Sequence, residues 1–162
     1  MKFARLAAPL AFALFALLGL AGPVVAAEQV PFSGELQGDV ARSGAPPIVS
    51  VEVTATGRAT VIGRCSITIP HTVNVVTRTA QGTYQFIAAN GDTLTGTFVG
   101  HSTLTETAGV LLIVEEVTIT GGTGRFEDAE GSFVCTRLYD SVAGTTTGSF
   151  EGTISSPGAA NH

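Results

Sequence analysis

The chain has 162 residues and a formal charge of −5, with 13 acidic residues against eight basic ones. That balance excludes the clustered positive surface which phosphate-rich partners need, so neither nucleic acid nor an anionic membrane surface is an expected partner. The length, once an N-terminal leader is removed, fits one domain with one core.

The leader comes first. Lys2 and Arg5 precede an apolar run from Leu6 to Leu20, followed by Gly22-Pro23 and then Val25-Ala26-Ala27. This is the pattern of a secretory signal peptide cleaved after Ala27, leaving residues 28–162 as a single domain. An apolar run of about 15 residues falls short of the roughly 20 that span a bilayer, so no membrane span is expected in the mature chain. No cysteine lies near the cleavage point, so no lipid anchor is expected. Loss of Lys2 and Arg5 leaves six arginines and no lysine. Export, to the periplasm or beyond, would place Cys65 and Cys135 in an oxidising space, where a disulfide between them is expected; two buried free thiols are the alternative.

Period two then runs through the chain. Val30, Phe32, Gly34, Leu36 and Gly38 alternate with polar neighbours, as do Val49, Val51, Val53 and Ala55, and then Cys65, Ile67 and Ile69. Each run reads as a half-buried strand. Tyr84, Phe86 and Ala88 share a face before Asn90-Gly91, a dipeptide that tolerates positive φ at both positions and marks a hairpin. Leu94 to Gly100, Val110 to Thr120, Gly131 to Tyr139 and Gly144 to Ile154 complete about eight strands. No later stretch carries a helical period. An eight-stranded antiparallel β-barrel is the expected fold, with a sandwich as alternative. Inward glycines at 34, 38, 96, 100, 148 and 152 suit the bends and taper of a small closed barrel.

The stretch Thr118 to Phe133, TITGGTGRFEDAEGSF, is dense in glycine. A phosphate loop would require lysine where Arg125 stands, and the dinucleotide fingerprint would require glycine where Glu127 stands. The acidic run Glu127 to Glu130 lacks the alternating spacing of a calcium loop. A turn remains: Gly121, Gly122, Gly124 and Gly131 permit close approach and positive φ, Phe126 and Ala129 fold back over a barrel end, and Arg125 pins the turn through a carboxylate.

Three ordered motifs, AANGD at Ala88 to Asp92, TITGGTGRF at Thr118 to Phe126, and FEGTIS at Phe150 to Ser155, carry a resemblance. The chain resembles exported bacterial proteins with an allene oxide cyclase-like barrel, of the calycin-like and dirigent-like superfamily. The resemblance implies an eight-stranded barrel whose lumen holds an apolar small molecule or confines a reactive one, and assembly of homo-oligomers through barrel walls. The catalytic residues of the plant cyclases lie outside the shared motif and transfer to no position here. Relatives often carry ATHLGR in the second long strand, whereas this chain has Ala59-Thr60-Val61-Ile62-Gly63-Arg64 and lacks the histidine.

Few residues are candidates for chemistry. Glu115 shares the phase of Leu111, Ile113, Val117 and Ile119, where desolvation would raise its pKa and suit it to an acid or donor role. The favoured reading is a bulge at Glu115-Glu116 that turns both carboxylates outward. Arg137 shares a face with Phe133, Cys135 and Tyr139, either pairing with an inward carboxylate or reaching a mouth. His71, after Pro70, is expected in a turn, His101 on an outward phase, and His162 ends the chain, so no metal or other cofactor is expected. No serine or cysteine nucleophile is set up by an ordered motif. The expected lumen lining is Phe32, Val51, Tyr84, Phe86, Phe98 and Phe150. Binding of a hydrophobic small molecule leads; a cofactor-free cyclase or isomerase using Glu115 or Arg137, and a filled, non-catalytic barrel, are the alternatives.

Overall fold

The computed structural model describes residues 27–155; the expected leader, apart from Ala27, lies outside the described residues. Eight strands, β1 (Gln29–Ala45), β2 (Ile48–Ala59), β3 (Gly63–Asn74), β4 (Thr79–Ala88), β5 (Thr93–Leu104), β6 (Val110–Gly122), β7 (Gly131–Asp140) and β8 (Thr145–Ser155), form a closed antiparallel barrel in chain order. The sandwich alternative falls because β8 closes on β1, from Gln29 opposite Ser155 to Asp39 opposite Thr145. β1 is the longest strand. Its first part pairs with β8 and its later part, Gly34 to Ala45, with β2, which is the stagger that a tilted, closed barrel requires.

Alternation gives each strand its two faces. On β2, Val49, Val51, Val53 and Ala55 are buried while Ser50, Glu52 and Thr54 are exposed. The barrel interior is unevenly filled. In one half, Phe32, Tyr84, Phe86, Phe98, Phe133 and Phe150 pack with ring centroids 5.2–5.9 Å apart, mostly edge to face. Each such pair contributes about 0.5–1.5 kcal/mol beyond the area it buries.

The end beyond these rings is plugged by the glycine-rich stretch. A 3-10 turn, Gly124–Phe126, carries Phe126 and then Ala129 over the barrel end, and both are buried. Gly121 and Gly124 have φ of 115° and 60°, conformations that side chains with a Cβ rarely adopt. Arg125 holds the plug from outside, with its Nε 3.6 Å from Asp92 Oδ2, its Nη2 donating to the Ile62 carbonyl at 3.3 Å, and its guanidinium over the Phe126 ring. The expected pinning carboxylate is therefore Asp92, in the Asn90-Gly91 hairpin, where Gly91 has φ of 91°.

Three expectations are corrected. Glu115 is fully buried and points inward. The irregularity of β6 lies five residues further on, where the register shifts between Thr95 and Gly96 as their partners pass from Gly121 to Ile119. His71 lies within β3, not in a turn, and is buried. Pro70 beside it is exposed and paired with Glu52 on β2, while towards β4 the pairing lapses between Thr68–Gln85 and His71–Gly82 and resumes in the same register. A missing N–H thus interrupts one ladder without ending the strand. Finally, Cys65 and Cys135 are free and buried. They sit on β3 and β7, opposite each other in the ring of eight, so the expected disulfide is not formed.

Candidate functional site

The half of the barrel away from the plug is not filled. It encloses a cavity of about 190 Å³, walled by apolar side chains including Val40, Val51, Val73, Leu111 and Ile113. The polar residues lining it are Arg42, Arg78, His71, His101, Ser102, Glu115, Arg137 and Tyr139. A wider depression of about 1030 Å³ runs over the outer wall past Glu35, Thr56, Arg58 and Leu138. That surface is open to solvent and lined chiefly by outward-facing residues, so the lumen is the site with the enclosure a small molecule needs.

At the cavity floor lies a buried ion pair. β6 and β7 place Glu115 and Arg137 at nearly opposed positions, Glu115 facing Cys135 and Ile113 facing Arg137. Arg137 Nη2 donates to Glu115 Oε1 at 2.6 Å and Nε to Oε2 at 2.9 Å, a two-pronged contact that matches the guanidinium fork to the carboxylate. The Tyr84 hydroxyl donates to the same Oε2. Arg137 Nη1 reaches Thr146 Oγ1 at 3.4 Å, and the Thr146 hydroxyl donates to the Leu138 carbonyl at 2.8 Å. Room for the arginine comes from Gly148, whose absent side chain would otherwise collide with Arg137 Cβ.

The titrating groups feel this burial. Burial pulls the Arg137 guanidinium down, but its hydrogen bonds to Glu115 and the carboxylate charge more than reverse this, and it stays cationic. Burial pushes the Tyr84 hydroxyl well above its ordinary value, aided by the Glu115 charge. The Cys135 thiol beside Tyr84 is pushed up to about 11, again by burial first. A thiol held neutral in this way is a poor nucleophile.

His71 completes the site. Its Nδ1 lies 2.8 Å from the Ile69 carbonyl, an acceptor only, so Nδ1 carries the proton and Nε2 holds the lone pair. Burial lowers its pKa, against the opposing pull of that carbonyl, so the ring is neutral near pH 7. Among the described residues no sealed side-chain nitrogen or oxygen lacks a partner. Nε2, which has no partner among the described residues, is therefore reachable by solvent.

Of the expected lining, Val51 borders the cavity, while Phe32, Tyr84, Phe86, Phe98 and Phe150 belong to the packed aromatic half. Tyr84 joins the two halves, its ring stacked on Phe86 and its hydroxyl on Glu115. Both candidates for chemistry, Glu115 and Arg137, are brought together. Sequence reasoning missed His71 and Thr146, although the inward phase of Ile67, Ile69 and His71 was there to be read. Val61, where the resemblance would imply a histidine, lies in the β2–β3 turn and is absent from the cavity lining. Among the described residues no three His, Cys, Asp or Glu side chains converge as a metal site.

The chain matches no protein-family model, no curated protein and no solved structure.

Proposed function

We propose that the chain is an exported barrel of the allene oxide cyclase-like type that binds one small hydrophobic molecule in the mouth half of its lumen. The observation that carries this reading is the uneven filling: one half of the barrel is packed with rings, whereas the other encloses about 190 Å³ between apolar walls above a polar floor. Apolar walls with a few fixed polar groups are the usual composition of a small-molecule pocket. Export fits the sequence of the leader, and cleavage after Ala27 leaves every strand intact, since β1 begins at Gln29.

A cofactor-free cyclase or isomerase is the second reading. The buried Tyr84–Glu115–Arg137 network favours it by placing polar groups against a confined substrate. Against it, three of the roughly four lone-pair sites of Glu115 already accept hydrogen bonds, which leaves at most one, on Oε1, to take a substrate proton.

Native mass spectrometry of the mature chain, secreted by its host, tests the proposal. A co-purified apolar mass that leaves on denaturation is the expected result. A clean apoprotein mass, with no thermal shift on adding apolar ligands, would overturn it in favour of a filled, non-catalytic barrel.

A further inference from the structure

The charge of the cavity runs opposite to that of the molecule. From residue 28 onward the chain holds six arginines against 13 acidic residues. Three of those arginines, Arg42, Arg78 and Arg137, line the cavity, whereas Glu115 is the single acidic residue that does. Glu115 is spent on Arg137. Arg42 and Arg78 form no ion pair with any described residue.

Their placement is regular. Arg42 continues the inward phase of Leu36 and Val40 on β1 and pairs with Val51, itself a wall residue. Arg78 ends the β3–β4 turn, and its carbonyl accepts from the Ser102 N–H at 3.0 Å, which ties that turn to β5 at the same mouth. Both are exposed. A molecule with its apolar body between Val51, Val73, Leu111 and Ile113 would therefore have its outer end at two unpaired guanidinium groups.

Size narrows the body. An apolar cavity of about 150 Å³ holds one benzene ring, so about 190 Å³ takes roughly six to ten carbons. A long lipid chain does not fit, because the aromatic half below is packed and the far end is plugged by Phe126.

We propose that the ligand is a small apolar monoanion of about six to ten carbons, its anionic head held between Arg42 and Arg78 at the mouth and its body in the lumen. This rests on the reading of the lumen as a binding site and adds the sign, place and size of the ligand.

The probes are octanoate, 1-octanol and octylammonium, which share a body and differ in charge, titrated into the mature chain by calorimetry at low ionic strength. Octanoate is expected to bind about tenfold or more tighter than 1-octanol, with octylammonium weaker than either. The double variant Arg42→Gln/Arg78→Gln should bring octanoate down to the level of 1-octanol and leave 1-octanol unchanged. Both side chains are exposed and unpaired, so folding should survive; Arg42→Gln alone gives a smaller loss and serves should the double variant fail to fold. Hexadecanoate should gain nothing over octanoate.

Equal affinity for octanoate and 1-octanol, or an octanoate affinity indifferent to Arg42→Gln, would overturn the anionic head while leaving the lumen site standing. Tighter binding of hexadecanoate would overturn the size limit. Failure of all three eight-carbon probes to bind would overturn both this inference and the binding reading beneath it.

Discussion

Arg137 and Glu115 are 2% and 0% exposed, so each needs the other. Removing one partner leaves an uncompensated charge in a low-dielectric interior, at a cost of about 3–5 kcal/mol, whereas replacing both with apolar groups of similar volume is often nearly neutral. Glu115→Leu and Arg137→Met are each expected to destabilise by that amount, and the double variant by far less than their sum. Urea unfolding of the four proteins measures the coupling; additive losses would show that the pair does not act as one unit. The same burial governs pH dependence. The His71 pKa is lowered on folding, so its contribution is present above about 6.5 and is lost as pH falls, because the unfolded chain takes up the proton first. Cys135 is raised to about 11 from an ordinary value of 9.0, so its contribution is present below pH 9.0 and is lost as pH rises towards 11. Stability is expected to plateau between these limits, with each limb sloping by at most about 1.4 kcal/mol per pH unit for each proton. Urea midpoints across pH check this: His71→Leu should flatten the acid limb, and Cys135→Ala should lessen the alkaline one, to which Cys65 and Tyr84, both raised by burial, also contribute. At this scale the sequence misled at Glu115. Two adjacent carboxylates in an apolar strand read as a bulge, because the partner that makes burial tolerable lies 22 residues away on β7.

Strands were the most legible elements. Alternation such as that from Val49 to Ala55, within the observed Ile48–Ala59 of β2, and the Asn90-Gly91 hairpin between β4 and β5, are local signals. Pro70 was a false one, since a proline ends a strand only where its missing N–H and fixed φ cannot be accommodated, and here just one ladder lapses. The β2–β3 turn holds a different conflict. Val61 has φ of 66°, a conformation that costs an L-residue about 1–2 kcal/mol and is rarer still for β-branched side chains. Asparagine, aspartate and histidine enter it more readily. Val61→Asn is accordingly expected to raise stability by about 1 kcal/mol. An unchanged or lower urea midpoint would mean that the partial packing of Val61 against the core outweighs the backbone.

At the scale of the whole barrel, every strand among the described residues pairs with its neighbours in sequence, and the one distant ladder is β1 with β8. The closed ring was legible from the inward glycines and the count of strands. The division of its interior into a packed half and an open half was not, because phase along a strand says which side chains point inward but not how much space they enclose. The β1–β8 ladder also brings Gln29 opposite Ser155, so the two ends of the described chain meet. The ring consequently has no privileged beginning. Joining those ends by a short flexible link and opening the chain at Asn90-Gly91, in a hairpin outside the cavity lining, should yield a permuted protein with the same barrel. Its far-ultraviolet dichroism and octanoate affinity should match those of the original order, whereas loss of both would mean that the direction in which the strands are laid down matters to closing the ring.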